Sequence, residues 1–197
     1  MAYQPGEIAL CGQPFVYVTE FSIRSRVCDF CLEFKSPSQE ENNLKKCSKC
    51  KLVYYCNSDC QKNSWEELHQ KECKFLRKFK PPYFIQPLES IGEGSSFYYA
   101  VYLTRIILKL KKVGGPEIIF DELPNGQRRY FKDLMSHKDS IYNDPERLDY
   151  FHRIFECLQI LWDGTDEILD KSEILEIYGK TYINSLELTT DSNYTIG

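Results

Sequence analysis

Apolar residues recur at helical spacing in three stretches of the second half of the chain, which predicts three amphipathic helices. The first runs from Ser95 to about Lys112, the second begins at Asp144-Pro145, and the third covers about Ser172 to Leu186. Gly114-Gly115-Pro116 follows the first helix and Gly164 follows the second, as expected for helix ends. In the second helix, the spaced residues are expected to mark the buried face. The residues that carry the spacing are Phe97, Ala100, Val101, Thr104, Ile107, Leu108, Leu148, Phe151, Phe155, Leu158, Trp162, Ile174, Ile177, Tyr178 and Tyr182.

The start of the chain predicts strands. Gly6–Cys11 and Pro14–Val18 are short runs rich in strand-forming residues, separated by Gly12-Gln13, and are expected to form a hairpin. Two strands alone are marginal in water, so this hairpin needs a further sheet to join. One more short helix is expected around Tyr130 to Ser136. The predicted fold class is therefore α+β, with a small N-terminal hairpin, a metal-stabilised segment that is described next, and a mainly α-helical region.

The metal-stabilised segment is predicted from four close pairs of cysteine and histidine. The order is Cys28-x2-Cys31, x15, Cys47-x2-Cys50, x5, Cys56-x3-Cys60, x8, His69-x3-Cys73. Eight soft or borderline donors are enough for two tetrahedral zinc sites, and the donor types favour Zn²⁺ over hard cations. The alternative is buried cysteines or disulfides, but no secretory signal supports an oxidising compartment.

Helix geometry limits how the eight donors are shared. Ser58-x-x-Gln61 predicts a capping box that opens a helix running through to Cys73. Nine residues at 1.5 Å rise separate Cys60 from His69 by roughly 13 Å, which is too far for one ion. The simplest assignment places Cys28, Cys31, Cys56 and Cys60 on one zinc, and Cys47, Cys50, His69 and Cys73 on the other. Both sets are closed, which indicates structural metals and no catalytic residue.

The stretch Tyr55–Gln61, followed by Trp65, His69 and Cys73, resembles the MYND finger family, which uses the same interleaved wiring. The x15 gap is long for that family and is interpreted as a solvated loop insertion. The resemblance implies a shallow groove for proline-containing peptides, with Tyr54, Tyr55, Gln61 and Trp65 as the matching candidates. The alternative for Trp65 is packing on the zinc core.

A hairpin, a MYND finger and a helical stretch together resemble the first part of a SET-and-MYND (SMYD-type) protein lysine methyltransferase. This layout divides the chain into SET-like strands (1–27), finger (28–73), linker (74–94) and helical insert-like region (95–197). Ile183-Asn184-Ser185 resembles the helical segment where the family places an asparagine near S-adenosylmethionine, so Asn184 is the cofactor-binding candidate. The family's glycine-rich loop and Asn-His-Ser-Cys segment are not found, so we expect a truncated chain that is inactive alone. S-adenosylmethionine is then a cofactor only with a complete SET domain.

Charge and composition narrow the partners. The net charge is −4 with a pI near 5.5, and residues 28–80 hold eleven Lys/Arg against eight Asp/Glu before thiolates and metals are counted. Nucleic acid is therefore disfavoured, and proteins, including proline-containing peptides or histones, are the expected partners. No apolar run approaches a membrane span, and the cysteine content predicts a reducing compartment, nucleus or cytoplasm. Two function classes remain: a zinc-binding interaction module, or a protein lysine methyltransferase.

Overall fold

The fold is taken from a computed structural model of the 197-residue chain. The residues that the structure describes are 4, 14–37, 43–78, 93–118, 120–122, 126–165, 170–189 and 196. Among them, two short strand pairs and six α-helices follow one another. Their bounds are β1 Lys45–Lys46, β2 Tyr54–Tyr55, α1 Ser58–Ser64, α2 Gln70–Leu76, α3 Glu93–Val113, β3 Phe120–Glu122, β4 Arg128–Tyr130, α4 Lys138–Tyr142, α5 Pro145–Trp162 and α6 Lys171–Tyr182.

Helix α3 lies at the centre of the helical region and packs against α2, α5 and α6. The six residues that carry its predicted spacing are all buried, which confirms the helical periodicity read from the sequence. The helix ends where Gly114 and Gly115 adopt φ of +95° and +122°, a backbone conformation that side chains rarely permit. The predicted helix end is therefore confirmed.

Helix α5 begins at the predicted place. The Asp144 carboxylate accepts hydrogen bonds from the backbone N–H groups of Glu146 and Arg147, and Pro145 occupies the first turn. Phe151, Leu158 and Trp162 are buried as expected, whereas Leu148 and Phe155 are only half-buried. Trp162 Nε1 donates to Thr104 Oγ1 at 3.0 Å, which ties the end of α5 to the middle of α3.

Two expectations for the helical region are wrong in detail. Helix α6 ends at Tyr182, four residues before the predicted Leu186, and the Ser185 hydroxyl donates to the Thr181 carbonyl beyond that end. The predicted helix at 130–136 is only a 3₁₀ turn, Phe131–Asp133, preceded by the unpredicted antiparallel pair β3 and β4. The strand pair takes residues that the sequence interpretation assigned to the start of a helix.

The finger is joined to the helical region through α2. This helix continues past Cys73 to Leu76. The Phe75 side chain is 0% exposed, and the centre of its ring lies 4.5 Å from the centre of the Trp162 ring. Residues 74–76, expected to start a linker, therefore belong to the packed helix. No helix among the described residues is long and apolar enough to cross a membrane.

The predicted N-terminal hairpin cannot be compared with the structure in full. Its first strand, Gly6–Cys11, lies outside the described residues. Its second, Pro14–Val18, is described and carries no strand. The backbone here is held by side chains instead: Tyr98 Oη donates to the Val18 carbonyl at 2.6 Å. The second strand of the hairpin is therefore a wrong prediction, and the first strand stays a prediction.

Candidate metal centres and finger surface

The two Cys-x2-Cys turns share one backbone geometry. The residue after each pair, Leu32 and Lys51, has φ near +60°. Its N–H donates back to the carbonyl of the first cysteine, at 3.0 Å to Cys28 and 2.9 Å to Cys47. This tight turn aims both thiols of a pair at one point, which is the arrangement that a tetrahedral metal requires.

The first donor set consists of Cys28, Cys31, Cys56 and Cys60, whose sulfur atoms lie within 4.8 Å of one another. Cys31 Sγ and Cys56 Sγ are 3.6 Å apart, close to the about 3.8 Å edge expected for a tetrahedral zinc with Zn–S bonds of about 2.3 Å. Although Cys28 is buried, this set lies near the surface, since Cys31 is exposed and Cys56 and Cys60 are half-buried.

The start of helix α1 positions Cys60. Its backbone N–H donates to Asn57 Oδ1 at 2.9 Å, so Asn57 is the capping residue. The predicted capping box of Ser58 and Gln61 is therefore wrong by one residue. Ser58 is the first helical residue instead, and Asn57 satisfies the free N–H group.

The second donor set consists of Cys47, Cys50, His69 and Cys73, and all four are buried. His69 Nε2 lies 3.4 Å from Cys47 Sγ and 3.6 Å from Cys50 Sγ, and Cys47 and Cys73 are 3.9 Å apart. These distances match the edges of a tetrahedron with one nitrogen and three sulfur donors. The two sets are those of the simplest assignment made from the sequence.

A π-helical segment, Trp65–His69, separates α1 from α2 within one continuous helical run from Ser58 to Leu76. Such segments add a residue to one helical turn and shift the faces that follow. Here the shift falls between Cys60, which belongs to the first set, and His69 with Cys73, which belong to the second. One helix thereby serves both centres.

The chemistry of the gathered thiols fits a divalent cation. Burial, followed by repulsion from Cys50 and Cys47, raises the pKa of Cys73 to about 12. Burial and then the contact with Cys28 raise the pKa of Cys60 to about 11. A zinc ion offsets the repulsion among thiolates, and neither set contains a carboxylate that would suit a harder cation. Four donors per ion leave no position for a reacting water, so zinc here supplies a structural cross-link.

The four residues expected to line a peptide groove are not equivalent. Tyr55 is 1% exposed and its hydroxyl lies 3.1 Å from Ser64 Oγ, so its ring is not available to a ligand. Gln61 is exposed, whereas Tyr54 and Trp65 are half-buried. Trp65 packs edge-on against His69 at 5.9 Å, and Lys49 Nζ lies 4.8 Å from the centre of the Trp65 ring. Trp65 therefore both packs on the zinc core and reaches the surface.

Asn184, the cofactor-binding candidate, is exposed and lies beyond the end of α6. Its side-chain amide donates to the Lys180 carbonyl at 2.7 Å. The expectation that Asn184 stands within a helix is therefore wrong, because α6 ends at Tyr182.

Sequence reasoning missed three buried charged residues beside the metal centres. Glu72 Oε2 lies 3.0 Å from His69 Nδ1, and Arg105 of α3 pairs with both Glu72 and Asp29. Burial disfavours the Glu72 carboxylate, but Arg105 and His69 outweigh that effect and hold its pKa at about 2. One signal was available: Arg105 is the one charged residue in the run from Phe97 to Leu108.

Comparisons with known proteins agree with this geometry. The family model of the MYND finger matches residues 28–73. Histone-lysine N-methyltransferase ASHR1 of Arabidopsis thaliana is 42% identical over 78 residues, which are 40% of this chain and 15% of that protein. Histone-lysine N-methyltransferase SMYD3 of Homo sapiens is 38% identical over 201 residues, covering 98% of this chain and 40% of SMYD3. N-lysine methyltransferase SMYD2 of Sus scrofa is 25% identical over 195 residues, covering 99% of this chain and 39% of SMYD2.

The matches to SMYD3 and SMYD2 cover nearly the whole of this chain. The chain itself spans about 40% of the length of those two proteins. The donor geometry and the family match coincide in residues 28–73, and the similarity to SMYD2 and SMYD3 continues through the helices. The chain carries a MYND zinc finger and is homologous, over nearly its whole length, to the SET and MYND domain methyltransferases.

Proposed function

We propose that residues 28–73 form a zinc-stabilised protein-interaction module that binds proline-containing peptide segments, within a SMYD-like protein lysine methyltransferase. The observation that carries the proposal is Trp65, which is anchored on the metal core by one edge and remains half-exposed. A rigid aromatic ring that is partly open to solvent is a common anchor for a partner.

The surroundings of Trp65 suit an extended ligand. Gln61 precedes it by four residues and is exposed, so both side chains emerge on the same side of the helix. Lys49 Nζ lies over the Trp65 ring, 4.8 Å from its centre, and adds a further donor at this site. A polyproline II peptide has backbone carbonyls without internal partners, so an aromatic wall flanked by donors fits it.

The alternatives for the finger are weaker. The two donor sets are closed, which argues against hydrolysis at the metals. Eleven Lys/Arg against eight Asp/Glu in residues 28–80, together with seven thiolates and two Zn²⁺, leave the finger close to neutral. The counterion-release contribution to nucleic-acid binding is then small.

The test is a titration of zinc-loaded protein with a panel of proline-containing peptides. Trp65→Ala is expected to weaken binding about 30-fold, because truncating an aromatic anchor costs about 2 kcal/mol. Gln61→Ala should weaken it less, and Glu66→Ala, an exposed neighbour, is the matched control. Zinc content is measured for each variant. Unchanged affinity in Trp65→Ala, or loss of metal with the affinity, would contradict the groove.

A second candidate is methyl transfer from S-adenosylmethionine to protein lysine, including histones. It is supported by the similarity to SMYD3 and SMYD2 over 98% and 99% of this chain, since both are named lysine methyltransferases. In this chain only Asn184 is a candidate for the cofactor, and its amide already donates to Lys180. One or two further hydrogen bonds are worth about 0.5–1.5 kcal/mol each, too little to bind the cofactor.

Calorimetry separates the two candidates. The 197-residue chain with zinc bound is expected to show no saturable binding of S-adenosylmethionine, and a radiolabelled methyl assay on histones should stay at background. Micromolar binding would place the enzymatic function within this stretch. A longer chain that includes the Asn-His-Ser-Cys segment of the family is the positive control.

A further inference from the structure

Arg105 is a charged residue in an apolar setting. It lies in the middle of α3, is 6% exposed, and stands between the buried residues Thr104 and Ile106. A buried guanidinium is costly unless it is paired and its N–H groups are satisfied. The guanidinium group therefore needs partners, and those that it has among the described residues lie outside α3.

These partners come from the finger and from the segment before it. Arg105 Nε donates to Glu72 Oε1 at 2.5 Å, and one terminal nitrogen donates to both oxygens of Asp29 at 2.9 Å. The other terminal nitrogen donates to the Tyr17 carbonyl at 2.6 Å. Asp29 follows Cys28 of the first donor set, and Glu72 precedes Cys73 of the second. One side chain of α3 thus contacts a sequence neighbour of each centre, and of these contacts the one with Glu72 continues to a metal donor.

The contact with Glu72 reaches a metal donor. Glu72 is 1% exposed and its other oxygen lies 3.0 Å from His69 Nδ1. An acceptor at Nδ1 keeps the proton on that nitrogen, which leaves Nε2 unprotonated and directed at Cys47 and Cys50. The same carboxylate is oriented by the fork of Arg105, so its position is set by α3.

We propose that Arg105 is a positioning residue for the second zinc centre, which it acts on through Glu72 and His69. The centre is then completed by a helix that lies outside the 28–73 finger sequence. Retention of the second zinc depends on the docking of α3, and loss of that zinc loosens the docking in return. This inference concerns the metal centre and does not rest on peptide binding.

A neighbouring pair provides the control. Lys109, one helical turn after Arg105, also reaches from α3 to the finger, where its Nζ lies 3.3 Å from Glu67 Oε1. Both side chains are partly exposed, at 25% and 51%, and neither contacts a metal donor. Lys109→Met removes a cation and an ion pair between α3 and the finger. It leaves the contacts from Arg105 through Glu72 to His69 in place.

The experiment follows transfer of zinc from the full chain to a chromogenic chelator, where two centres give two phases. Arg105→Met keeps an apolar stem of similar length. It is expected to accelerate one phase of zinc transfer, that of the second centre, about 10- to 100-fold. Glu72→Gln should accelerate the same phase, and Lys109→Met should leave both unchanged. In ¹¹³Cd-loaded protein, the resonance of the centre with one nitrogen and three sulfur donors should move in Arg105→Met, while that of the four-sulfur centre stays.

Equal acceleration of both phases would show general destabilisation and overturn the proposal, as would unchanged phases. A measurement on the unaltered chain keeps the test valid if Arg105→Met does not fold. ¹⁵N NMR of zinc-loaded protein should show His69 protonated at Nδ1 and metal-bound at Nε2. Metal on Nδ1 would overturn the proposal.

Discussion

The finger and the helical region are stabilised by different interactions. In the finger the strands are two residues long and α1 has seven residues, so little of it would be stable without cross-links. In the helical region α3 and α5 have 21 and 18 residues and bury continuous apolar faces. Donor spacing therefore determines the finger, and apolar periodicity determines the helices.

This difference predicts opposite responses to metal removal. A structural zinc contributes about 10–16 kcal/mol of apparent binding free energy that is coupled to folding. Chelation is expected to abolish amide protection in residues 43–73, while α5 and α6 keep most of theirs because their burial does not involve the donors. Hydrogen exchange read by mass spectrometry checks both halves at once, with zinc re-addition as the control.

Equal loss of protection in both regions would contradict the comparison. It would mean that the Phe75–Trp162 contact and Arg105 couple the two regions into a single unfolding unit. Unchanged protection in residues 43–73 would contradict the zinc-dependent account of the finger itself.

A substitution in the helical region should give the reverse pattern. A Cβ added at Gly179 would lie 1.7 Å from the backbone oxygen of Ser136, so α6 would have to move. We expect Gly179→Ala to lower the free energy of unfolding by about 3 kcal/mol, with both zincs retained. Chemical denaturation and metal analysis measure the two quantities.

Gly164→Ala is the matched control for this substitution. No atom lies within 4 Å of an added Cβ there, but its φ of +67° makes the change cost about 1–2 kcal/mol. An effect of Gly179→Ala no larger than that of Gly164→Ala would show that α6 adapts without strain.

The smallest expected difference is between the two helix caps. Asp144→Ala should lower the free energy of unfolding by about 1 kcal/mol, because two N–H groups lose their acceptor. Asn57→Ala removes the equivalent acceptor at Cys60, but metal bonds also hold Cys60 in place. Thermal unfolding tests the first variant. Measurement of the zinc content tests Asn57→Ala. Loss of an ion from this variant would contradict the expectation that metal bonds hold Cys60 in place without the cap.

Part of this architecture follows from sequence because its rules are local. Helix geometry places Cys60 and His69 on different ions, and the simplest assignment that respects this gives the two sets that the structure brings together. The apolar periodicity of α3 and the Asp144-Pro145 start of α5 are also local signals, and the structure agrees with both.

The remaining features depend on contacts that no local pattern carries. Arg105 and Glu72 are 33 residues apart in sequence, so their pairing follows only from the packing of α3 on the finger. Asn57 and Ser58 are both good caps, and the choice depends on where Cys60 has to lie. The π-helical segment at Trp65–His69 has no sequence signature, and it lies between Cys60 of one centre and Cys73 of the other.

The central claim is that two zinc ions, each held by its own set of four donors, stabilise the finger. Native mass spectrometry of the chain, with ¹¹³Cd NMR of the substituted protein, tests it most directly. The account predicts two ions per chain and two resonances, one from four sulfur donors and one from three sulfurs with a nitrogen. One ion or none, or two centres with the same donors, would contradict it.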